Sequence, residues 1–293
     1  MVLPKGPITF ANLEIGRNSI YEIGAIGGHA GVLPEIAQSF GYDPFTHPVD
    51  LVSAVAPHDS LRHNIDFAKE RLGPDGLSLA RGWAERSGLL VPVARSFMPP
   101  EEAIPQSVDL AIITGGVRNW MERRQKRLQE LHAAGTTIKA VLLAGSDCRT
   151  MNQAEGPDVQ EDMTEASYLE KVIAPALTGI VADEDKVKVV RVPGLTGDEV
   201  ARRLERHISD EQLNGYILVT ANAGNWPQNT GQVRRGIRAT VPEFDTEHGR
   251  LVVVSDGFAL GETGNEPPIT HQNPLSAVGM ILRNVLELDR HRA

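Results

Sequence analysis

The stretch VDLAIITGGVRNWMERRQKRLQELHAAG, Val108 to Gly135, decides the fold class. A short apolar run ends at Thr114, Gly115 and Gly116 and passes into a long basic helix pattern. That pattern stops at Gly135, a residue suited to closing a helix. The same alternation repeats downstream. IKAVLLAGSD, KVKVVRVPG, GYILVTANAG and RLVVVSDGFA read as buried strands. MTEASYLEKVIAPAL, TGDEVARRLERHI, NTGQVRRGIRAT and NPLSAVGMILRNVLEL read as helices. Short apolar strands alternating with helices predict a parallel sheet covered on both faces. Right-handed crossovers then give a doubly wound layer. The expected fold is therefore α/β: a Rossmann-like, doubly wound, mostly parallel sheet over residues 105–293, joined to a helix-rich N-terminal portion over 1–100.

In that N-terminal portion HAGVLPEIAQSFG, PHDSLRHNIDFAKERLG and DGLSLARGWAERSG predict helices, and VDLVSAV (49–55) predicts a strand. RSFMPPEEAIPQS, with three prolines, is the expected linker. The helices before it are expected to pack on the sheet or to lid its edge. IGAIGGHAG, Ile23 to Gly31, is glycine-rich with His29 at its turn and reads as structural.

The bulk numbers narrow the function classes. In 293 residues, 41% are hydrophobic and 23% charged, as in ordinary globular domains with a full core. A net charge of -9 and a pI near 5.5 argue against a nucleic-acid partner, which calls for a basic face. The local cluster of Arg123, Arg124, Lys126 and Arg127 reads as a solvated helix face. The single cysteine, Cys148, excludes an intrachain disulfide and a thiolate zinc site, and reads as a small buried residue. MVLPKGPITFANLEIG lacks a basic region followed by an apolar core, and no apolar run nears the roughly 20 residues that span a bilayer. A cytoplasmic location with no membrane partner is expected, and a homo-oligomer is allowed for. No HExxH, CxxC, DxDxDG, GxSxG or P-loop pattern occurs, so neither a metal nor a cofactor is assigned.

Ligands of open parallel sheets bind beyond the carboxyl ends of the strands, near the switch in strand order. Four loops there are rich in small and polar residues. In the first, Thr114, Gly115, Gly116, Arg118 and Asn119 suit an anion: the glycines allow close backbone approach, the helix start offers free N–H groups, and Arg118 adds a fork of donors. A tight strand-to-helix turn would need the same glycines. In the second loop Ser146, Asp147 and Arg149 follow the strand. Asp147 suits a general base, a sugar-hydroxyl ligand or a metal ligand, and equally a turn cap. Thr164 and Glu165 open a helix, with Glu165 either capping it or reaching the cleft as the acid/base. In the third loop Asn222, Asn225 and Asn229, with Trp226 among them, suit hydroxyls or a base edge. Asp256 ends the last strand.

The order of these pieces resembles the YdcF-like family, which includes the SanA and ElyC proteins and is also described as domain of unknown function 218. DLAIITGG looks like that family's first strand, RQKRLQELHAAG its first helix and VLLAGS its second strand. TEASYLEKVI is similar to its Glu-Ala helix, QNTGQVRRG to its Asn-Thr helix start and LVVVSDGFA to its late strand. The likeness covers about 105–290. Asp256, Gly257 and Phe258 stand where the family often has a histidine and an arginine, and Val233 stands at its second asparagine. The resemblance implies a Rossmann-like fold with a polar cleft.

The expectation is an enzyme, a hydrolase or group transferase, acting on a polar and anionic small molecule such as a nucleotide, nucleoside or sugar phosphate. Asp147 and Glu165 are its candidate acid/base groups. The alternative is a non-catalytic sensor that binds a nucleotide-like ligand.

Overall fold

The computed structural model describes residues 8–10, 13–15, 31–57, 61–87, 89, 94–96, 105–192, 203, 215–222, 233, 251–256 and 273–290. Along the chain these form β1 (Ile8–Phe10), β2 (Leu13–Ile15), α1 (Leu33–Ser39), α2 (Pro48–Val55), α3 (Leu61–Leu72) and α4 (Gly76–Arg86). Next come β3 (Ala94–Ser96), β4 (Ser107–Val108), β5 (Leu110–Thr114), α5 (Arg118–Ala133), β6 (Thr137–Ile138) and β7 (Val141–Ser146). Helix α6 (Glu165–Tyr168) runs through a π turn (Leu169–Ile173) into α7 (Ala174–Leu177). Strands β8 (Val187–Val192), β9 (Ile217–Asn222) and β10 (Leu251–Asp256) follow, and α8 (Ser276–Arg290) closes the chain. Among the described residues no helix is long and apolar enough to cross a membrane.

The chain divides into two compact units: Met1–Val91 with Phe258–Ala293, and Pro92–Gly257. The first is helical around its own core. Val278, Ile281, Leu282 and Val285 of α8 recur at helical spacing and pack in one buried cluster with Ile36, Leu51, Ile65 and Trp83. The closing helix thus belongs with the N-terminal helices, whereas the sequence pattern assigned it to the sheet unit. Periodicity gives the buried face of a helix but not its partner. Residues 49–55, expected as a strand, are helix α2. Pro48 sits at its first position and the His47 ring accepts the Val49 N–H. Leu51 and Val55, four apart, are both buried, which one face of a helix explains and an alternating strand does not.

The second unit carries a six-stranded sheet in the order β3-β10-β9-β5-β7-β8. The five strands from β5 to β10 in this sheet run parallel; β3 pairs antiparallel with β10 at one edge. Arg95 and Ser96, expected in the linker, therefore lie in a strand. Numbering the parallel strands by sequence gives 3-2-1-4-5, the Rossmann order, with its switch between β5 and β9. Side chains of β5 alternate between two cores. Ala111 and Ile113 join Val141, Leu143, Leu218 and Val252 with Met121 and Leu128 of α5 and Leu169 of the π turn. Leu110 and Ile112 join Leu142, Val190, Ile217, Val219, Leu251 and Val233. Both faces of β5, β7 and β9 are buried, which is why these strands read as continuous apolar runs. Gly135, at φ 104°, takes the left-handed conformation just past α5 that the sequence pattern predicts.

Candidate functional site

Because the strands are parallel, their carboxyl ends form one rim. Thr114 ends β5, Ser146 ends β7, Asn222 ends β9 and Asp256 ends β10. The register pairs Thr114 with Ala144, Ile113 with Thr220, Ser146 with Val192 and Asp256 with Asn222. Four segments far apart in sequence thus converge at one edge, beside the β5/β9 switch.

The turn from β5 to α5 is held from beneath by a buried arginine. Arg124 is 1% exposed, and its Nη1 donates to Thr114 O (2.6 Å), Thr114 Oγ1 (2.8 Å) and Gly115 O (2.9 Å). Its guanidinium carbon lies 5.9 Å from the centre of the Trp120 ring. Arg124 was expected on a solvated face with Arg123, Lys126 and Arg127. It lies one position from Arg123, but on the stripe of α5 that faces the sheet with Met121 and Leu128. A tight turn of glycines leaves carbonyl oxygens without backbone partners, and the guanidinium satisfies them. Thr114 is buried and its hydroxyl serves this contact.

Arg118, expected as an anion ligand, is paired within the chain. Its Nε donates to Glu122 (2.9 Å) and to the Tyr168 hydroxyl (3.2 Å), Nη1 to Glu155 O (3.2 Å), and Nη2 to Asp158 (3.0 Å). Its backbone N–H donates to the Glu155 carboxylate at 2.5 Å. With carboxylates of the chain around it, Arg118 clamps the 153–158 segment across the start of α5. The positive end of the helix is met by Glu155, an internal anion. The pKa of Tyr168, which Arg118 contacts, is pushed up to about 12 by burial; the Arg118 bond opposes the rise and the Glu122 carboxylate adds to it. Asn119 sits half-buried in the first turn of α5.

After β7 the chain turns sharply. Ser146 Oγ accepts the N–H groups of Cys148 (3.1 Å) and Arg149 (3.2 Å), so this hydroxyl caps the turn. Asp147 points outward. Its carboxylate is exposed and pairs with Arg191 at 2.8 Å, and Arg191 also pairs with Glu170. The carboxylate expected as an acid/base group thus lies in a surface ion pair. Cys148, expected buried, is exposed. It lies on the turn itself, and only the strand before it is apolar.

Glu165 is the carboxyl that the fold buries. The excursion after Arg149 returns through a Thr150–Thr164 bridge and a Met151 N–H to Met163 O bond (2.8 Å), which sets Thr164 as the cap of α6. Thr164 Oγ1 accepts the Ser167 N–H at 3.2 Å. Glu165, next in sequence, points back at the rim and is 6% exposed. Its Oε2 accepts the Ser146 N–H at 3.3 Å. A Cβ at Gly115 would collide with Oε2 and come within 3.1 Å of Gly145 Cα. At Gly145 it would meet Leu169 Cδ1 at 2.7 Å and Ala166 Cα at 2.9 Å. Gly115 therefore makes room for the carboxyl group, and Gly145 for the close approach of the helix that carries it.

The second oxygen, Oε1, lies 2.9 Å from Arg149 Nη1, but off hydrogen-bond geometry; no donor among the described residues is aimed at it. Burial raises the Glu165 pKa above the usual carboxylate value. Arg149, the Ser146 N–H and Arg124 oppose that rise, and Glu155 adds to it. A carboxyl shifted toward its protonated form, at the edge where strands of a Rossmann layer end, can donate a proton to a ligand and take it back.

Of the expected residues, then, the structure brings together Thr114, Gly115, Ser146, Arg149 and Glu165. Gly116 lies in the same turn, near Trp120 and the Arg124 guanidinium. Asn222 and Asp256 share the rim by backbone position. Asn225, Asn229, Trp226 and His29 lie outside the described residues. Val233 is a buried core residue. Sequence reading missed Arg124 and Gly145. The apolar stripe Met121, Arg124, Leu128, Leu131, at spacings of three and four, carries the signal for the first. Among the described residues no group of three His, Cys, Asp or Glu side chains is placed to hold a metal ion. Comparison with family models, with curated proteins and with solved structures finds no match.

Proposed function

We propose that the Pro92–Gly257 unit is an enzyme, a hydrolase or group transferase, acting on a polar small molecule of the nucleotide, nucleoside or sugar-phosphate class at the carboxyl rim of its sheet. The observation that carries this reading is Glu165: a carboxyl buried against the Gly115 backbone, with no donor among the described residues aimed at one of its oxygens. A protein that only needed to fold would gain by replacing it with an apolar side chain, since burying a carboxyl costs free energy. Glu165 acts as the general acid/base. Arg149, half-exposed, takes over the anion-binding role first assigned to Arg118, whose donors are committed within the chain. The YdcF-like resemblance of 105–290 and a cytoplasmic location belong to this proposal, with no nucleic acid or membrane as partner.

The Asp147–Arg191 pairing favours a second reading. With Asp147 held in an ion pair, Glu165 is the buried carboxyl described at the rim, which suffices for a binding protein that senses such a ligand without turning it over. A thermal-shift screen with nucleotides and sugar phosphates tests both. A ligand at 100 times its Kd adds about 2.7 kcal/mol to stability. A hit that is turned over by the wild type and only bound by Glu165→Gln establishes the enzyme. A hit that is bound and never turned over establishes the sensor. No hit among anionic ligands defeats both.

A further inference from the structure

The contact between Arg149 and Glu165 joins a side chain that solvent reaches to one that it does not. The Arg149 side chain is 47% exposed and that of Glu165 is 8%. Arg149 also lies on the turn capped by Ser146, at the rim, so its guanidinium is the described cation that an incoming anion meets beside Glu165. The other charges that act on Glu165, Arg124 and Glu155, are less free to answer a ligand, as is Arg191 beyond them. Arg124 is buried on α5 and bound to three oxygens of the Thr114–Gly115 turn. Glu155 is fixed by the backbone N–H groups of Arg118 and Asn152. On β8, Arg191 is held by Asp147 and Glu170.

Resting on the proposed anion-binding rim, we infer that Arg149 is a shared counter-ion, and that an anion which captures it drives Glu165 to take up a proton. The physical reason is a competition. Arg149 is the leading charge that favours the ionised carboxylate, while burial works against it. When a sulfate or phosphate group engages the guanidinium, bidentate if geometry allows, the carboxylate loses attraction and gains a nearby negative charge. Both changes favour the neutral acid. The proton comes from solvent, so the ligated site holds a protonated Glu165 beside the bound anion. A phosphate-bearing substrate would thereby charge the general acid by the act of binding.

Sulfate is the probe, because it stays a dianion through neutral pH and any proton uptake then belongs to the protein. Isothermal titration of the full chain with sulfate, repeated in buffers of different ionisation enthalpy, gives the number of protons taken up from the slope of apparent enthalpy on buffer enthalpy. The expected slope corresponds to uptake of a fraction of one proton at pH values above the ordinary carboxyl range, with affinity rising as pH falls. In Glu165→Gln the uptake vanishes and the affinity becomes independent of pH. It also rises, by about three- to tenfold, because the anion no longer competes with a carboxylate for Arg149. In Arg149→Ala sulfate affinity falls at least tenfold. Binding without proton uptake, or uptake that survives in Glu165→Gln, overturns the coupling and leaves the anion site standing. No binding of sulfate by the wild type overturns the anion site and the coupling with it.

Discussion

Replacing Arg124 by methionine tests whether the basic helix holds the sheet's carboxyl rim. Methionine keeps the length and most of the volume of the side chain, so little cavity opens and the effect is polar. The substitution removes three short hydrogen bonds, to Thr114 O, Thr114 Oγ1 and Gly115 O. The threonine hydroxyl can turn to another partner and the Gly115 carbonyl is half-buried, so the Thr114 carbonyl carries most of the loss. An abandoned buried carbonyl costs about 1–3 kcal/mol, and bonds from a charged donor are worth about 1.5–3 kcal/mol. Because these overlap, we expect a net loss of about 2–4 kcal/mol. With a urea dependence of about 1–3 kcal/mol per molar, the unfolding midpoint should fall by roughly 1 M or more, with the slope unchanged. Lys126→Met, on the exposed side of the same helix, should change stability by no more than about 0.5 kcal/mol. Urea unfolding followed by far-UV circular dichroism measures both. Equal midpoints for the two variants would return Arg124 to a solvated face.

Glu165→Gln should stabilise the chain at pH 7–8, with the difference shrinking toward pH 4, as read from melting temperatures. The sign follows from the raised pKa: folding favours the protonated acid, so that contribution is full below the ordinary carboxyl value and is lost as pH rises through the folded one. Gly145→Ala should destabilise by about 1–3 kcal/mol in urea, since its Cβ would press on the Ala166 backbone. Arg118→Ala should leave sulfate affinity unchanged and raise hydrogen exchange across 152–158, because the side chain clamps that segment. Loss of affinity without faster exchange would restore Arg118 to the ligand site.

The sheet was legible because β5, β7 and β9 are buried on both faces and read as apolar runs, and because glycines mark where they end. Helix α5 was legible down to its closing Gly135. What stayed hidden depended on distant partners. VDLVSAV is short and apolar enough to suit either period, and the cap at His47 with Pro48 decided for a helix. Helix α8 shows its apolar face plainly, but only packing shows that the face meets N-terminal helices. At the site, residue type alone does not show which charges have an internal partner. Arg118 and Asp147 have the chemistry expected of ligand contacts, and they pair with Glu122, Asp158 and Arg191. Glu165 was legible as a helix start. Its burial was not, because that depends on Gly115 and Gly145, 50 and 20 residues earlier in the chain.

The central claim is that the rim around Glu165 is where this protein meets a small polar ligand. Hydrogen–deuterium exchange of the full chain, with and without the strongest anionic hit from the thermal screen, tests it directly. The predicted result is protection concentrated at 114–119, 145–150 and 164–168. Protection confined to the helices of the Met1–Val91 and Phe258–Ala293 unit, with those three segments unchanged, would contradict it.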